Sequence, residues 1–504
     1  MPADAAAFER HPGRAVPLRW VTAAAIAWAG VVTWTAWASD DAFITLRTVE
    51  NLLDGAGPRW NLIERVQAYT HPLWMLVLAA GTAIGRDPYY TAMLLSILAS
   101  AGAMAVVAGR LALSAVHVAM VLTAAAASQA FVDYSSSGLE NPLTHLLLAA
   151  YVAAWLHRDG RGGIRLLTLI GSLCLLTRLD LALLIGPSLA VRAWQCRPIH
   201  RAAIDLAIGG LPLVAWEAFS LVYYGLMLPN TAYAKLATGI PAGVLLSQGL
   251  RYFENSIAVD PLTLATIGLA MLAPWQRSLR GLWPLSLGLL LSLVYVAKVG
   301  GDFMSGRFFS APFMVALCIA ARMPLPRSRV SAAGLALVAA VLAAAGFRPQ
   351  EVVDGNGISD ERRIYSRGTR LVTQRELPLQ SRSEVRRGLD WRDDPERVAI
   401  WGFVGMVGYY TRPDLHIIDP NALTDPLLSH LPAEPGWRIG HFTRQLPPGY
   451  AESVLQPASG ITDPRIAEYD NVIRTLTRGP IWTLDRLRIA LRFNAGGYDH
   501  LLER

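Results

Sequence analysis

The sequence predicts an α-helical polytopic membrane protein of about eleven transmembrane helices, with juxtamembrane helices and a C-terminal soluble α/β domain. Three observations carry this. From Trp20 to Phe347 the chain runs in Ala-, Leu- and Val-rich blocks divided by short polar stretches. Of its 504 residues 53% are hydrophobic and only 16% charged, with a mean hydropathy of +0.34, where a soluble chain carries about 25% charged residues. Composition then changes once. From Arg348 to Arg504 the chain is charged, Pro-rich and without a long apolar run, so domains are expected at 1–347 and 348–504.

A bilayer span needs about 20 apolar residues, with about 17 as a working minimum. Blocks 20–38, 90–109, 113–132, 142–157, 203–228, 282–299, 307–322 and 330–347 are the clear candidates. Blocks 164–177, 181–193 and 262–275 qualify by borrowing flanking residues. Val21–Ala38 follows a charged N-terminus, as in a signal peptide, but it is long enough to span and shows no convincing cleavage site. It is expected as an uncleaved first helix. The block from His71 to Gly85 is short, and charge parity decides its place. Arginine clusters at 10–19, 158–165, 192–201, 277–280 and 322–329 all fall on the cytoplasmic side if 71–85 lies along the outer surface as an interfacial helix. If it crossed, the cluster at 158–165 would lie outside. The N-terminus is therefore expected inside and the C-terminus outside.

The same arginines account for the net charge of +7, so no nucleic-acid partner is inferred. Cys174, Cys196 and Cys318 lie in or beside apolar blocks, which leaves neither a disulfide framework nor zinc spacing.

This topology gathers the unusual polar residues outside: the loop at 39–72, YSSSGLENP (134–142), TRLD (177–180), LPNTAYAK (228–235), KVGGDFMSGR (298–307) and the terminal domain. Asp40 and Asp41 stand where the first span ends. The plain reading is a solvated helix start, for which Asp is well suited. Against it, Arg47, Glu50 and Asn51 follow at helical spacing, then Trp60, Asn61, Glu64, Arg65, Tyr69, His71 and Trp74. Charged residues among aromatics beside a bilayer fit a pocket that handles a sugar. Arg178 and Asp180 are either a pair closing a tight turn or a functional site, because ionisable residues at membrane depth are costly. Lys298, Asp302 and Arg307 bracket Gly300 and Gly301. They are either snorkelling ends of a hairpin or cations for a lipid-linked phosphate, whose oxygens take charge-assisted bonds. Glu140 and Asn141 are read first as a cap for the following helix.

The motifs DDAFITLR, WNLIERVQAYTHPLW, SSGLENPLTHLLL, LTRLD, LPNTAYAK and GGDFMSGRF follow one another in an order that resembles the GT-C class of membrane glycosyltransferases. Within it the chain is most similar to the family of terminal arabinofuranosyltransferases of mycobacterial cell-wall arabinan. HIIDPNALTDPLLSHLP (416–432) and RIGHFTRQLPPGY (438–450) extend the resemblance into the terminal domain. The resemblance implies a polyprenyl-phosphate sugar donor of the decaprenyl-phosphate arabinose type, and transfer of D-arabinofuranose. The acceptor would be a cell-envelope glycan or glycoprotein on the outer face of a bacterial plasma membrane. It also implies that an acidic residue of the first external loop acts at the catalytic centre, with juxtamembrane helices after it.

Transfer from a phosphate leaving group passes through an oxocarbenium-like transition state. A carboxylate must take the acceptor's proton, cations must stabilise the departing phosphate, and aromatics and amides must hold the ring. Asp41 or Asp40 is the expected base, with Asp41 preferred. Arg178, Lys298 and Arg307 are the phosphate candidates. Glu64, Tyr69, His71, Asn230, Tyr233, Asp302 and His441 are the sugar or acceptor candidates. In the terminal domain Asp419, Asp425, Arg438, His441 and Arg444 either help to close the pocket or serve only the fold. The Asp pair permits a bridging Mg, Mn or Ca ion without requiring one. Two other readings compete. A transporter or flippase for a lipid-linked sugar would place its charges near the bilayer midplane and often in repeated halves. A non-enzymatic glycan-binding assembly or sensor protein would not need so elaborate a first loop.

Overall fold

The computed structural model describes residues 16–157, 160–325, 351–372 and 382–502, together with Ala340 and Ala344. Every apolar block within those residues folds as helix, including Leu18–Thr35, Asn141–His157, Leu181–Gln195 and Arg307–Ala320. The expected surface block forms the helix Pro72–Gly85. The block 330–347 lies outside the described residues. Three described helices are long and apolar enough to cross a bilayer: Pro88–Leu111, Ile199–Tyr223 and Arg277–Lys298. Two broken pairs, Leu18–Thr35 with Asp40–Leu53 and Ala242–Val259 with Pro261–Trp275, raise that number to five if each counts as one span. The other blocks form shorter apolar helices, such as Ala115–Ala127 at 113–132.

The chain divides into two compact units, each drawn from three stretches. The first comprises Met1–Ala38, Ala92–Pro212 and Ala242–Thr373. Here the helix Trp283–Lys298 packs on Leu181–Gln195 and on Ala242–Val259. Glycine makes both crossings possible. A β-carbon at Gly288 would run into the Leu184 carbonyl, and one at Gly249 into the Ala297 carbonyl. Such close backbone approach is how apolar helices gain packing energy where water offers none. Ala242–Val259 is an addition to the expected elements. It stops where Asp260 accepts bonds from the Thr263 hydroxyl (2.6 Å) and the Ala130 amide (2.9 Å) and Pro261 opens the next helix, bent by 109°.

The second unit comprises Ser39–Thr91, Leu213–Pro241 and Gln374–Arg504. The helix Asp40–Leu53 starts at Ser39, whose hydroxyl accepts the Ala42 amide at 3.3 Å. It packs on Val404–Tyr410 and on Pro72–Gly85. Residues of the first and last stretches share one core of Ile44, Trp60, Ala68, Val404, Leu415 and Ile417. A second core joins Ala234 to Ile418, Leu427, Leu428, Tyr450, Tyr469 and Ile473. The sheet expected for an α/β domain is, among the described residues, one parallel pair of three-residue strands, Val398–Ile400 and His416–Ile418. The rest of this stretch is helix and turn. Residues 348–504, uniform in composition, are thus shared between the two units.

Candidate active site

The expected site residues fall into two groups, one in each unit.

In the second unit, Asp40 and Asp41 occupy the first turn of their helix, and the fold treats them differently. Asp40 is buried and accepts the Met406 amide at 2.7 Å and the Gly405 amide at 3.1 Å. These amides lie in the first turn of the helix Val404–Tyr410, where they lack partners within the helix and a carboxylate is favoured. Gly405 is required there, since a β-carbon would strike the Asp40 carbonyl. Burial pushes the Asp40 carboxyl up to about 7 from its ordinary 3.8; the charge of Asp41 adds to this and the two amides oppose it. Asp41 is half-buried.

A pH dependence follows. A carboxyl whose folded pKa lies above its unfolded one stabilises the fold fully below the unfolded value and loses that contribution as pH rises through the folded one. Melting of the wild type should therefore fall between about pH 4 and pH 7 by a component that Asp40→Asn removes. Parallel melting curves of the two proteins across that range would show Asp40 to be silent.

The surrounding loop is held by its own polar residues. Arg47 lies over the Trp60 ring at 4.4 Å and donates to the carbonyls of Trp60 (3.1 Å), Pro413 (3.2 Å), Leu415 (3.3 Å) and Gly408. Asn61 pairs both ways with the Ile417 backbone at 3.1 and 3.2 Å, as a neighbouring strand would. Glu64 is buried in an ion pair with Arg478 at 3.0 Å. Tyr69 and Tyr224 share a hydroxyl–hydroxyl bond of 2.8 Å. His71 Nε2 meets the Thr45 hydroxyl at 2.8 Å. Asn230 donates to the carbonyls of Ala422 (2.8 Å), Leu423 (3.1 Å) and Asp425 (3.1 Å) and accepts from Ser429 at 3.0 Å. Tyr233 sits 4.6 Å from the His430 ring, and His441 lies 5.9 Å from the Phe403 ring.

The terminal-stretch candidates serve the fold in the same way. Asp419 accepts three amides, from Asn421 (2.9 Å), Leu423 (2.7 Å) and Thr424 (3.2 Å). Asp425 accepts those of Leu427 and Leu428 and the Tyr450 hydroxyl. Arg444 donates to the carbonyls of Leu431, Ala234 and Phe442. The Arg438 carbonyl accepts the His441 amide at 2.9 Å.

In the first unit, short segments between helices bring charges together. Arg307 opens its helix after Gly306, whose φ of +74° and close approach to Ala130 suit only glycine. Its guanidinium reaches Glu140 at 3.2 Å and Asp302 at 3.6 Å. Glu140 therefore takes part in an ion pair, while its carbonyl, just before the helix, accepts the Thr144 amide at 3.0 Å. Arg178 grips both oxygens of Asp180 at 3.0 Å and lies 4.7 Å over the Phe308 ring. Two bonds tie these segments to one another: Thr144 to Thr177 at 2.9 Å, and Asn141 to Ser310 at 3.1 Å. Lys298, at the end of its helix, is exposed.

In the chain segments that carry these charges, buried polar atoms stand without hydrogen-bond partners among the described residues: the hydroxyls of Ser136 and Ser137, Oδ1 of Asn141, both ring nitrogens of His145, and Nη1 of Arg178. Such groups cost about 1–3 kcal/mol each when left unsatisfied, a cost that a polar ligand meeting them would offset. His145 interacts electrostatically with both Arg178 and Glu140. Sequence reading passed over it, although an ionisable residue inside an apolar block is itself a signal. Both arginines already hold carboxylates, so a phosphate bound here would use Arg178 Nη1 or exchange places with an acid. Among the described residues no three of His, Cys, Asp and Glu converge to hold a metal ion.

No protein-family model matches the chain. It is similar to the terminal beta-(1->2)-arabinofuranosyltransferase of Mycobacterium tuberculosis, with 26% identity over an alignment covering 82% of this chain and 81% of that protein. The protein of the same name from Corynebacterium glutamicum is 30% identical over 59% of this chain and 49% of its own length. Among solved structures it is similar to ArnT from Cupriavidus metallidurans bound to undecaprenyl phosphate, at 16% identity and a TM-score of 0.39, covering 82% of this chain and 77% of that one. The chain is a glycosyltransferase. Its homologues are terminal arabinofuranosyltransferases, so the resemblance carried by the motifs holds over most of the chain.

Proposed function

We propose that the chain transfers D-arabinofuranose from a polyprenyl-phosphate donor, of the decaprenyl-phosphate arabinose type, to a glycan or glycoprotein of the cell envelope. The names of its homologues support the sugar. Arg178 Nη1 and the His145 ring, buried without hydrogen-bond partners among the described residues and interacting electrostatically, support a phosphate-bearing substrate, and they are the observation on which the reading rests most. Asp41 acts as the general base on the acceptor hydroxyl. It is preferred as the second acid of the pair, with Asp40 accepting two backbone amides. Arg178 and Arg307 stabilise the charge that gathers on the departing phosphate, with His145 as a further donor. The chain would carry eleven spans in a GT-C arrangement in the plasma membrane, with its polar loops and terminal stretch outside the cytoplasm. The positions of the basic clusters support that sidedness.

Incubating the purified full chain with a panel of polyprenyl-phosphate sugars and a glycan acceptor tests the reading. Turnover of the arabinofuranose donor above the hexose and other pentose donors is expected. Turnover of another sugar alone would remove arabinose from the proposal. Donor binding with no transfer of any sugar would favour a flippase.

A further inference from the structure

The helix Glu361–Thr369 is fastened along one face. Tyr365, Ser366 and Thr369 are buried there. The Thr369 hydroxyl donates to the Ala38 carbonyl at 2.8 Å and accepts the Ala38 amide at 3.1 Å. The Leu371 amide donates to the Ala36 carbonyl at 3.2 Å, and Arg362 holds Asp133 at 2.8 Å. Ala36 and Ala38 lie where the apolar helix Leu18–Thr35 ends. Trp20 and Trp34, in the first and last turns of that helix, are 45% and 72% exposed. A tryptophan exposed in the last turn of an apolar helix fits the headgroup level of a bilayer. The Thr369 end is thereby set at the headgroups.

Arg363 and Arg367 lie four residues apart on the helix, Arg370 follows just past its end, and all three are exposed and border one shallow depression with Ser366. Arg367 and Arg370 make no ion pair or hydrogen bond among the described residues. Asp360 faces the other way, capping the Arg363 amide at 2.9 Å and taking a bond from Gln129 at 3.3 Å. Glu361 is buried against Ser359. Arg363 and Arg367 are a like-charge i,i+4 pair, a repulsion that a bound anion would relieve. Guanidinium forks also match phosphate oxygens.

We propose that the Arg363–Arg367–Arg370 face binds the phosphate of an anionic phospholipid headgroup in the membrane that holds the chain. This rests on Leu18–Thr35 being a membrane span, as the sequence reading has it, and not on the proposed sugar donor. The arginines lie outside the charge cluster of Arg178 and Arg307, and none of the bonds described above that fasten the helix comes from the Arg367 or Arg370 side chain.

The test is a titration of the full chain in neutral detergent with phosphatidylglycerol, and separately with phosphatidylcholine, read by native mass spectrometry. The wild type should retain phosphatidylglycerol preferentially. Arg363→Gln/Arg367→Gln/Arg370→Gln should weaken it at least about tenfold, each arginine being worth about fivefold at a charged surface. Changing all three to lysine should keep most of the preference, and transfer activity in detergent should stay at the wild-type level in both variants. Equal retention of the two lipids by the wild type would overturn the proposal, as would undiminished phosphatidylglycerol binding by the glutamine variant. Displacement of the lipid by equimolar inorganic phosphate would also overturn it, by making the face a site for free anions.

Discussion

Asp41→Asn should lower turnover at least about 10²-fold while leaving donor binding in place. Asparagine keeps the size of the side chain and much of its hydrogen bonding, but it cannot take a proton from the acceptor hydroxyl. Donor affinity should survive because other residues are assigned to the phosphate and one negative charge has gone. Asp40→Asn should be milder in catalysis and more visible in melting, since that carboxylate is spent on the Gly405 and Met406 amides. The measurement is transfer from a polyprenyl-phosphate pentose to a glycan acceptor, run beside a thermal shift with donor. Near wild-type transfer by both single variants and by the double variant would end the case for this pair. Glu64 would then be a poor replacement, because it is buried in an ion pair with Arg478. Glu140 is likewise engaged by Arg307.

Changing the two arginines should give unequal results. Arg307→Gln removes the partner of two acids that are themselves buried, Glu140 and Asp302. Stranding buried charge in this way costs about 3–5 kcal/mol, so the variant should melt early whatever it does to the donor. Adding Glu140→Gln should restore part of that loss. Arg178→Gln is the cleaner probe of binding. The side chain of its partner Asp180 is 21% exposed and can turn to water. A lost charge-assisted bond to phosphate should then weaken the donor about ten- to a hundredfold with little change in melting. Donor titration and detergent melting read the two effects separately. An Arg178→Gln protein with unchanged donor affinity would take this residue out of the site.

The helices were legible because apolar length is a local property. Leu18–Thr35, Pro72–Gly85 and Trp283–Lys298 can each be read from the residues that compose them. Ala242–Val259 was not, because Arg251 and Glu254 interrupt its apolar run and make an ordinary amphipathic helix look like a loop. Partners were illegible for a different reason. Glu140 and Arg307 lie 167 residues apart, and Asp40 lies 366 residues from the amide of Met406. Nothing beside Glu140 distinguishes an acid that caps its own helix from one that holds a distant arginine. The compositional break at Arg348 was real as composition. It marked no boundary of packing, because Ile44 and Trp60 share a core with Leu415 and Ile417.

That shared core bears on how the chain is made. Residues 39–91 leave the ribosome early, yet the strands and helices that complete their core belong to residues 374–504. At about 5–20 residues per second the interval lasts some tens of seconds. Through it Trp60 lacks its apolar neighbours and Asp40 lacks the amides that satisfy it. The first loop is therefore a debt that only the end of translation settles. A chain cut short near residue 373 would present that unfinished loop permanently, as a substrate for membrane proteases and not as a smaller enzyme.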